Sequence, residues 1–156
     1  MRLAPFINNA VMIAEADAPT REVALRMMLR KLRAFIPDLE VESVLKDILI
    51  REQESSTGIG KGVAIPHATV PEGLDSTAIA VATLKEPIDF NSVDRKKVSL
   101  IIMILSPAGM ADEHLRMLAR VARICSRDAI LSEIVEAKDE DALRGAFISA
   151  DEKCVG

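Results

Sequence analysis

Two stretches of this chain, residues 77–84 and 98–105, are almost continuously apolar. A membrane-spanning helix needs about 20 apolar residues, so runs of this length are strands. A strand with one wet face alternates polar and apolar side chains. A strand that does not alternate is buried on both faces, and in a protein this small helices must supply the covering layers. The central pair of runs therefore demands amphipathic segments elsewhere in the chain.

Those segments are present on both sides. Leu25, Met28, Leu29, Leu32, Phe35 and Ile36 follow the three-four spacing of one helix face. Asp17 or Thr20 is placed to cap that helix, Pro19 lies near its first turn, and Pro37 ends it. Val41, Val44, Leu45, Ile48 and Leu49 mark a second helix that runs out near residues 50–52. After the apolar runs, three more helices are expected, at about 111–125, from Asp128, and from Asp139 with Leu143, Ala146 and Phe147 facing inward. Between the two groups, residues 55–62 form a loop of small residues and glycine. Val63, Ala64 and Ile65 make a short strand closed by Pro66, and Glu86-Pro87 and residues 91–97 make turns. The expected fold is α/β: a single layered domain over residues 1–156, with a small central mixed β-sheet flanked by helices on both faces. Residues 1–18 and the tail 151–156 are expected to be peripheral.

Composition narrows the functions available. The hydrophobic fraction of 49% makes a globular core the default. With four Phe and neither Tyr nor Trp, that core is aliphatic, and the stacking platforms of a single-strand nucleic-acid binder are missing. Met27, Met28, Met103 and Met117 read as core filler. A net charge of −4 gives no electrostatic reason to expect a nucleic-acid partner. Without a leader pattern or a spanning segment, a cytoplasmic protein without membrane insertion is expected. Cys125 and Cys154 have no CxxC neighbour and read as one packed thiol and one incidental tail thiol.

The chemistry-bearing residues are few. The chain has two histidines. His67 follows Pro66 beside the glycine-rich loop, where a rigid scaffold presents a reactive group. An unperturbed imidazole titrates near about 6.5, so much of it is neutral and nucleophilic at neutral pH. A neutral ring nitrogen attacks phosphorus to give a phosphoramidate, from which the phosphoryl group is easily passed on. His114 falls in the first turn of the helix beginning near residue 111, at the edge of its buried stripe. There it could donate to a phosphoryl oxygen or orient the other imidazole; filling the helix start is the plain alternative. Arg51 stands at a helix end, with a guanidinium suited to equatorial phosphoryl oxygens. Its plain alternative is a solvated cation at the helix C-terminus. Ser55, Ser56 and Thr57 offer hydroxyls, and the glycines expose backbone N–H groups. The loop is no nucleotide P-loop, because Gly60-Lys61-Gly62 lacks the following Ser or Thr. A zinc site would need a third ligand beside the two histidines. Arg116, Arg120 and Arg123 share one helix face, which reads as solvated, with a docking patch for an acidic partner as the alternative.

Together these residues resemble a known family. The stretch from Arg51-Glu52 through Ser55-Ser56-Thr57-Gly58 to Pro66-His67 is similar to the signature of fructose/mannitol-type EIIA domains of the bacterial phosphoenolpyruvate-dependent phosphotransferase system. The nearer likeness is to the stand-alone nitrogen-regulatory branch. Glu113-His114-Leu115 opening a helix after Ser106-Pro107 also resembles the family. The resemblance implies that His67 is the phosphoryl acceptor at Nε2, that Arg51 neutralises the phosphate, and that His114 supports. Ser56, Thr57 and Gly58 are the expected phosphate loop. The implied donor is the small histidine-containing phosphocarrier protein, and the implied readers are regulatory target proteins or an EIIB domain. No metal and no organic cofactor is implied.

Overall fold

The computed structural model describes residues 1–154. Its elements run α1 (Ala4–Ile7), β1 (Val11–Ala16), α2 (Arg21–Arg33), α3 (Val41–Glu54), β2 (Gly58–Gly60), β3 (Val63–Ala64), β4 (His67–Val70), β5 (Ala78–Ile88), β6 (Val98–Pro107), α4 (Ala111–Cys125), α5 (Asp128–Val135) and α6 (Glu140–Lys153). The strands form one mixed sheet in the order β1-β5-β6-β3-β2, with β4 also pairing β6. The two apolar runs are its centre: β5 and β6 pair antiparallel from Ala78↔Leu105 to Thr83↔Leu100.

Their side chains divide between two cores. Ala80, Ala82, Ile101, Met103 and Leu105 pack on one side, with Leu25, Met28 and Leu29 of α2 and Val44 and Ile48 of α3. Ile79, Val81, Leu100, Ile102 and Ile104 pack on the other, with Met117 and Val121 of α4, Ile134 of α5 and Phe147 of α6. This is the double burial that non-alternating strands require. The expected α/β architecture is thus the observed one.

Several boundaries differ from the sequence reading. Thr20, rather than Asp17, caps α2; its hydroxyl accepts from Val23 N–H at 3.2 Å. That helix stops at Arg33, so Phe35 lies beyond it and is 78% exposed instead of facing the core. Pro37 disfavours helical backbone in the residue before it, and the chain leaves the helix early. The second helix continues past Glu52 to Glu54. Glu86-Pro87 is not a turn but part of β5. The β5–β6 register shifts between Thr83 and Ile88, so Pro87, which is exposed, withholds no ladder hydrogen bond there. The 55–62 loop contains β2, which pairs antiparallel with β3.

Neither end of the described chain is peripheral. β1 extends the sheet by pairing in parallel with β5, and Leu3 and Ile7 are fully buried. Asp151 and Cys154 are buried as well, which corrects the reading of Cys154 as an incidental thiol. The physical reason is one carboxylate. Asp151 Oδ2 accepts from the N–H groups of Leu3 at 2.8 Å and Ala4 at 3.1 Å, the free donors at the start of α1. Residues 155 and 156 of the tail lie outside the described residues. Arg120 likewise departs from the solvated reading: it is 6% exposed and paired with Asp151. Arg116 and Arg123 are exposed.

Candidate active site

β3 and β4 lie along the same side of β6, both parallel to it, and the chain breaks between them at Ile65-Pro66. His67 opens β4 instead of ending the strand before it. Its register partner is Ile104, and that of Thr69 is Ser106. Neighbours across a ladder share a face, and so do residues two apart on one strand. His67, Ile104 and Ser106 therefore project on the side covered by α4, while Ala68 and Val70 enter the opposite core.

The chain around Pro66 also sets the tautomer of His67. Ile65 N–H donates to Thr57 O at 3.0 Å, and Pro66 O accepts from Ile104 N–H at 3.0 Å. The Ile65 carbonyl accepts from the His67 ring, with Nδ1 at 2.8 Å. A carbonyl oxygen only accepts, so Nδ1 carries the hydrogen. In the neutral ring the lone pair is then on Nε2.

His114 approaches from the first turn of α4, its backbone N–H donating to Met110 O at 3.0 Å. Its ring Nδ1 lies 2.6 Å from Ser106 Oγ. The His67 and His114 ring centroids are 5.3 Å apart, with the planes inclined at 53°. Burial lowers the pKa of His114 below its ordinary value, and the charges of His67 and Arg51 lower it further. Arg51 lies in the last turn of α3, and its charge is the smallest of the three causes that lower the His114 pKa. Arg51 is exposed and forms no ion pair among the described residues. Next to His114 in sequence, Glu113 Oε1 accepts from Thr77 Oγ1 at 2.8 Å, which ties α4 to the start of β5.

The loop residues do something different from what their composition suggests. Ser56 Oγ donates to Phe90 O and accepts from Gly58 N–H at 3.0 Å. Thr57 donates its N–H to Glu52 Oε2 at 3.1 Å, and its hydroxyl also bonds Glu52. These donors of Ser56, Thr57 and Gly58 are therefore engaged within the protein. Glu52 was missed as a structural residue. Its side chain is fully buried, with Arg21 Nη1 at 3.8 Å. The only hint was a carboxylate five residues before a threonine at a helix end. Among the described residues, no group of three or more His, Cys, Asp or Glu is arranged to hold a metal. No helix among them is long and apolar enough to cross a membrane.

Residues 5–149 match the family model described as phosphoenolpyruvate-dependent sugar phosphotransferase system, EIIA 2. The chain belongs to this family. It is 34% identical over 133 residues to a nitrogen regulatory protein of Bradyrhizobium diazoefficiens, covering 83% of this chain and 86% of that one. It is 40% identical over 96 residues to the fructose-specific EIIABC component of Bacillus subtilis, covering 62% of this chain but only 15% of that much longer protein. The crystal structure of nitrogen regulatory protein IIA-Ntr from Neisseria meningitidis superposes with a TM-score of 0.81 at 25% identity, covering 92% of this chain and 97% of that one. The EIIA resemblance read from Arg51 to His67 is that of the family.

Proposed function

We propose that His67 is the phosphoryl acceptor of this EIIA domain, and that the phosphorylation state of the chain is the signal it delivers to regulatory target proteins. The observation that carries this reading is the Ile65 contact, which leaves a lone pair on Nε2 of a partly buried histidine. In the reaction, Nε2 attacks the phosphorus of a phosphohistidine on the small histidine-containing phosphocarrier. The new N–P bond forms as the donor's N–P bond breaks, and that bonding pair stays on the donor's ring nitrogen. His67 gains positive character, which its Nδ1–H shares with the Ile65 carbonyl. Arg51 answers the charge on the phosphoryl oxygens, and its charge already reaches His114. Met110 and Leu115, exposed on either side of His114, supply apolar surface for a protein donor or reader.

Phosphorylation adds roughly −1.5 to −2 charges, enough to change a docking surface. The likeness to nitrogen regulatory proteins over most of both chains supports a cytoplasmic regulatory role. A second reading draws on the fructose-specific relative: His67 would pass the phosphoryl group to an EIIB domain of a sugar permease.

The test is incubation with phosphoenolpyruvate, enzyme I and the phosphocarrier, followed by mass spectrometry. One acid-labile phosphoryl group is expected on the wild type and none on His67→Ala. No gain on the wild type would overturn both readings, and a gain that survives His67→Ala would overturn the site. Onward transfer to an added EIIB domain separates the sugar route from the regulatory one.

A further inference from the structure

Two imidazoles lie side by side, and each is held through Nδ1, one by a backbone carbonyl and one by a serine hydroxyl. No protein group bonds either Nε2 among the described residues. The two anchors are chemically different. A carbonyl only accepts, but a hydroxyl donates one hydrogen and accepts as well. The His114 contact is therefore compatible with either tautomer until the hydroxyl hydrogen is accounted for.

Ser106 is 1% exposed, so its hydroxyl has no access to bulk water. Its only hydrogen-bond partner among the described residues is His114 Nδ1. If Nδ1 carried the ring hydrogen, the serine O–H would point at nothing, and a buried donor without an acceptor is costly. If Nδ1 carries the lone pair, the hydroxyl donates to it and the site has no orphaned group.

We propose that Ser106 is a positioning residue that donates its hydroxyl hydrogen to His114 Nδ1 and so fixes the proton of His114 on Nε2. The consequence for transfer rests on His67 being the phosphoryl acceptor; the tautomer itself does not. The pair is then complementary. His67 presents a lone pair at Nε2 and His114 presents an N–H. When His67 attacks phosphorus, the N–H of His114 is a hydrogen-bond donor available to an equatorial oxygen, beside Arg51. The other tautomer would aim a lone pair at that oxygen and repel it. Ser106 touches neither substrate nor phosphoryl group, and acts through the ring it holds.

Long-range proton–nitrogen NMR of the histidine rings tests this directly, at a pH where both are neutral, on wild type, Ser106→Ala and Ser106→Thr. In the wild type, opposite tautomers are expected: protonated Nδ1 on His67 and protonated Nε2 on His114. Ser106→Ala is expected to move His114 toward a mixture while His67 is unchanged, and Ser106→Thr, which keeps the hydroxyl, to restore the wild-type pattern. Phosphoryl transfer to Ser106→Ala should slow by roughly tenfold, short of the roughly 10²–10³ seen when an oxyanion donor is removed outright. A wild-type His114 protonated on Nδ1 overturns the proposal, whatever the variants do. So does a His114 tautomer indifferent to Ser106→Ala. A wild type with the expected tautomers that accepts no phosphoryl group leaves the Ser106 assignment standing and overturns the transfer reading instead.

Discussion

Arg120 on α4 and Asp151 on α6 meet inside the protein, with Nε donating to Oδ1 at 3.0 Å and the two side chains 5% and 0% exposed. Arg120 also donates from Nη2 to the Asp151 backbone oxygen at 2.8 Å. The same carboxylate receives the first N–H groups of α1, so one buried pair joins the beginning of the described chain to its end. Asp151→Ala would leave the Arg120 charge buried and uncompensated, at a cost of about 3–5 kcal/mol, whereas Arg120→Ala would leave Asp151 with Arg2 Nε at 3.4 Å and the two N–H donors of α1. Asp151→Ala should show this loss in urea unfolding and Arg120→Ala a smaller one, while Arg120→Met with Asp151→Leu together should recover only part of it, because the Leu3 and Ala4 N–H groups still lose their acceptor. Losses below 1 kcal/mol, as at an exposed pair, would contradict the assignment.

Neighbouring residues at the end of α3 should separate activity from stability. Arg51 is exposed, so Arg51→Ala should leave stability within about 0.5 kcal/mol of wild type. On the role proposed for the guanidinium, phosphorylation of this variant should nevertheless be slower. Glu52 is buried against Thr57 and Arg21, and Glu52→Ala should destabilise by about 1.5–3 kcal/mol, the range for hydrogen bonds to a charged group. Stopped-flow phosphorylation and denaturant melts of both variants check this. Equal stability losses at the two positions would sink it.

The depressed pKa of His114 has a defined sign. An unfolded histidine takes up its proton near pH 6.5. In the folded protein, burial and the charges of His67 and Arg51 delay that uptake to lower pH. The unfolded state therefore binds more protons across this window, and folding stability falls as pH drops below about 6.5 toward the folded midpoint. Above that pH the contribution is fully present. An NMR titration should find the His114 midpoint below that of an ordinary histidine, and His114→Gln should flatten this part of the stability–pH curve. A His114 midpoint at or above 6.5 would refute the reading.

Gly58 should tolerate no side chain, for a reason of space alone. A Cβ there would fall 2.2 Å from Ser92 Oγ and 2.9 Å from Ser92 Cβ. Ser92 Oγ is itself buried without a hydrogen-bond partner among the described residues. Gly58→Ala should destabilise by about 1–3 kcal/mol, the range for overpacking. Adding Ser92→Gly should recover part of that loss, because both clashing atoms are then gone. A thermal melt of Gly58→Ala indistinguishable from wild type would show that the loop yields freely.

The parts of the fold set by periodicity could be read from the chain alone. The 77–84 and 98–105 runs became the paired centre of the sheet, and the flanking three-four patterns became α2, α3 and α4. His67 and His114 could be named as candidates because histidine is rare here, and the structure brings their rings together. What periodicity does not carry is long-range pairing. β1 and α1 have short patterns whose burial depends on β5 and Asp151, residues far along the chain. Arg120 looked solvated because its partner is 31 positions away. Ser56 and Thr57 looked like phosphate donors because a hydroxyl in a glycine loop does not reveal which acceptor it has found.

The Ile65 carbonyl has a consequence for how this protein can vary. The acceptor that orients His67 is a main-chain atom at a break enforced by Pro66, and every amino acid supplies that atom. No single side-chain replacement at position 65 deletes it, so drift there alters packing before it alters reactivity. The partner imidazole has no such insurance, since a one-atom change at Ser106 removes its anchor. In the proposed roles, the orientation of the nucleophile comes from the backbone, while assistance hangs on a single hydroxyl. If those roles hold, one mutational step at Ser106 removes the help and leaves the acceptor in place.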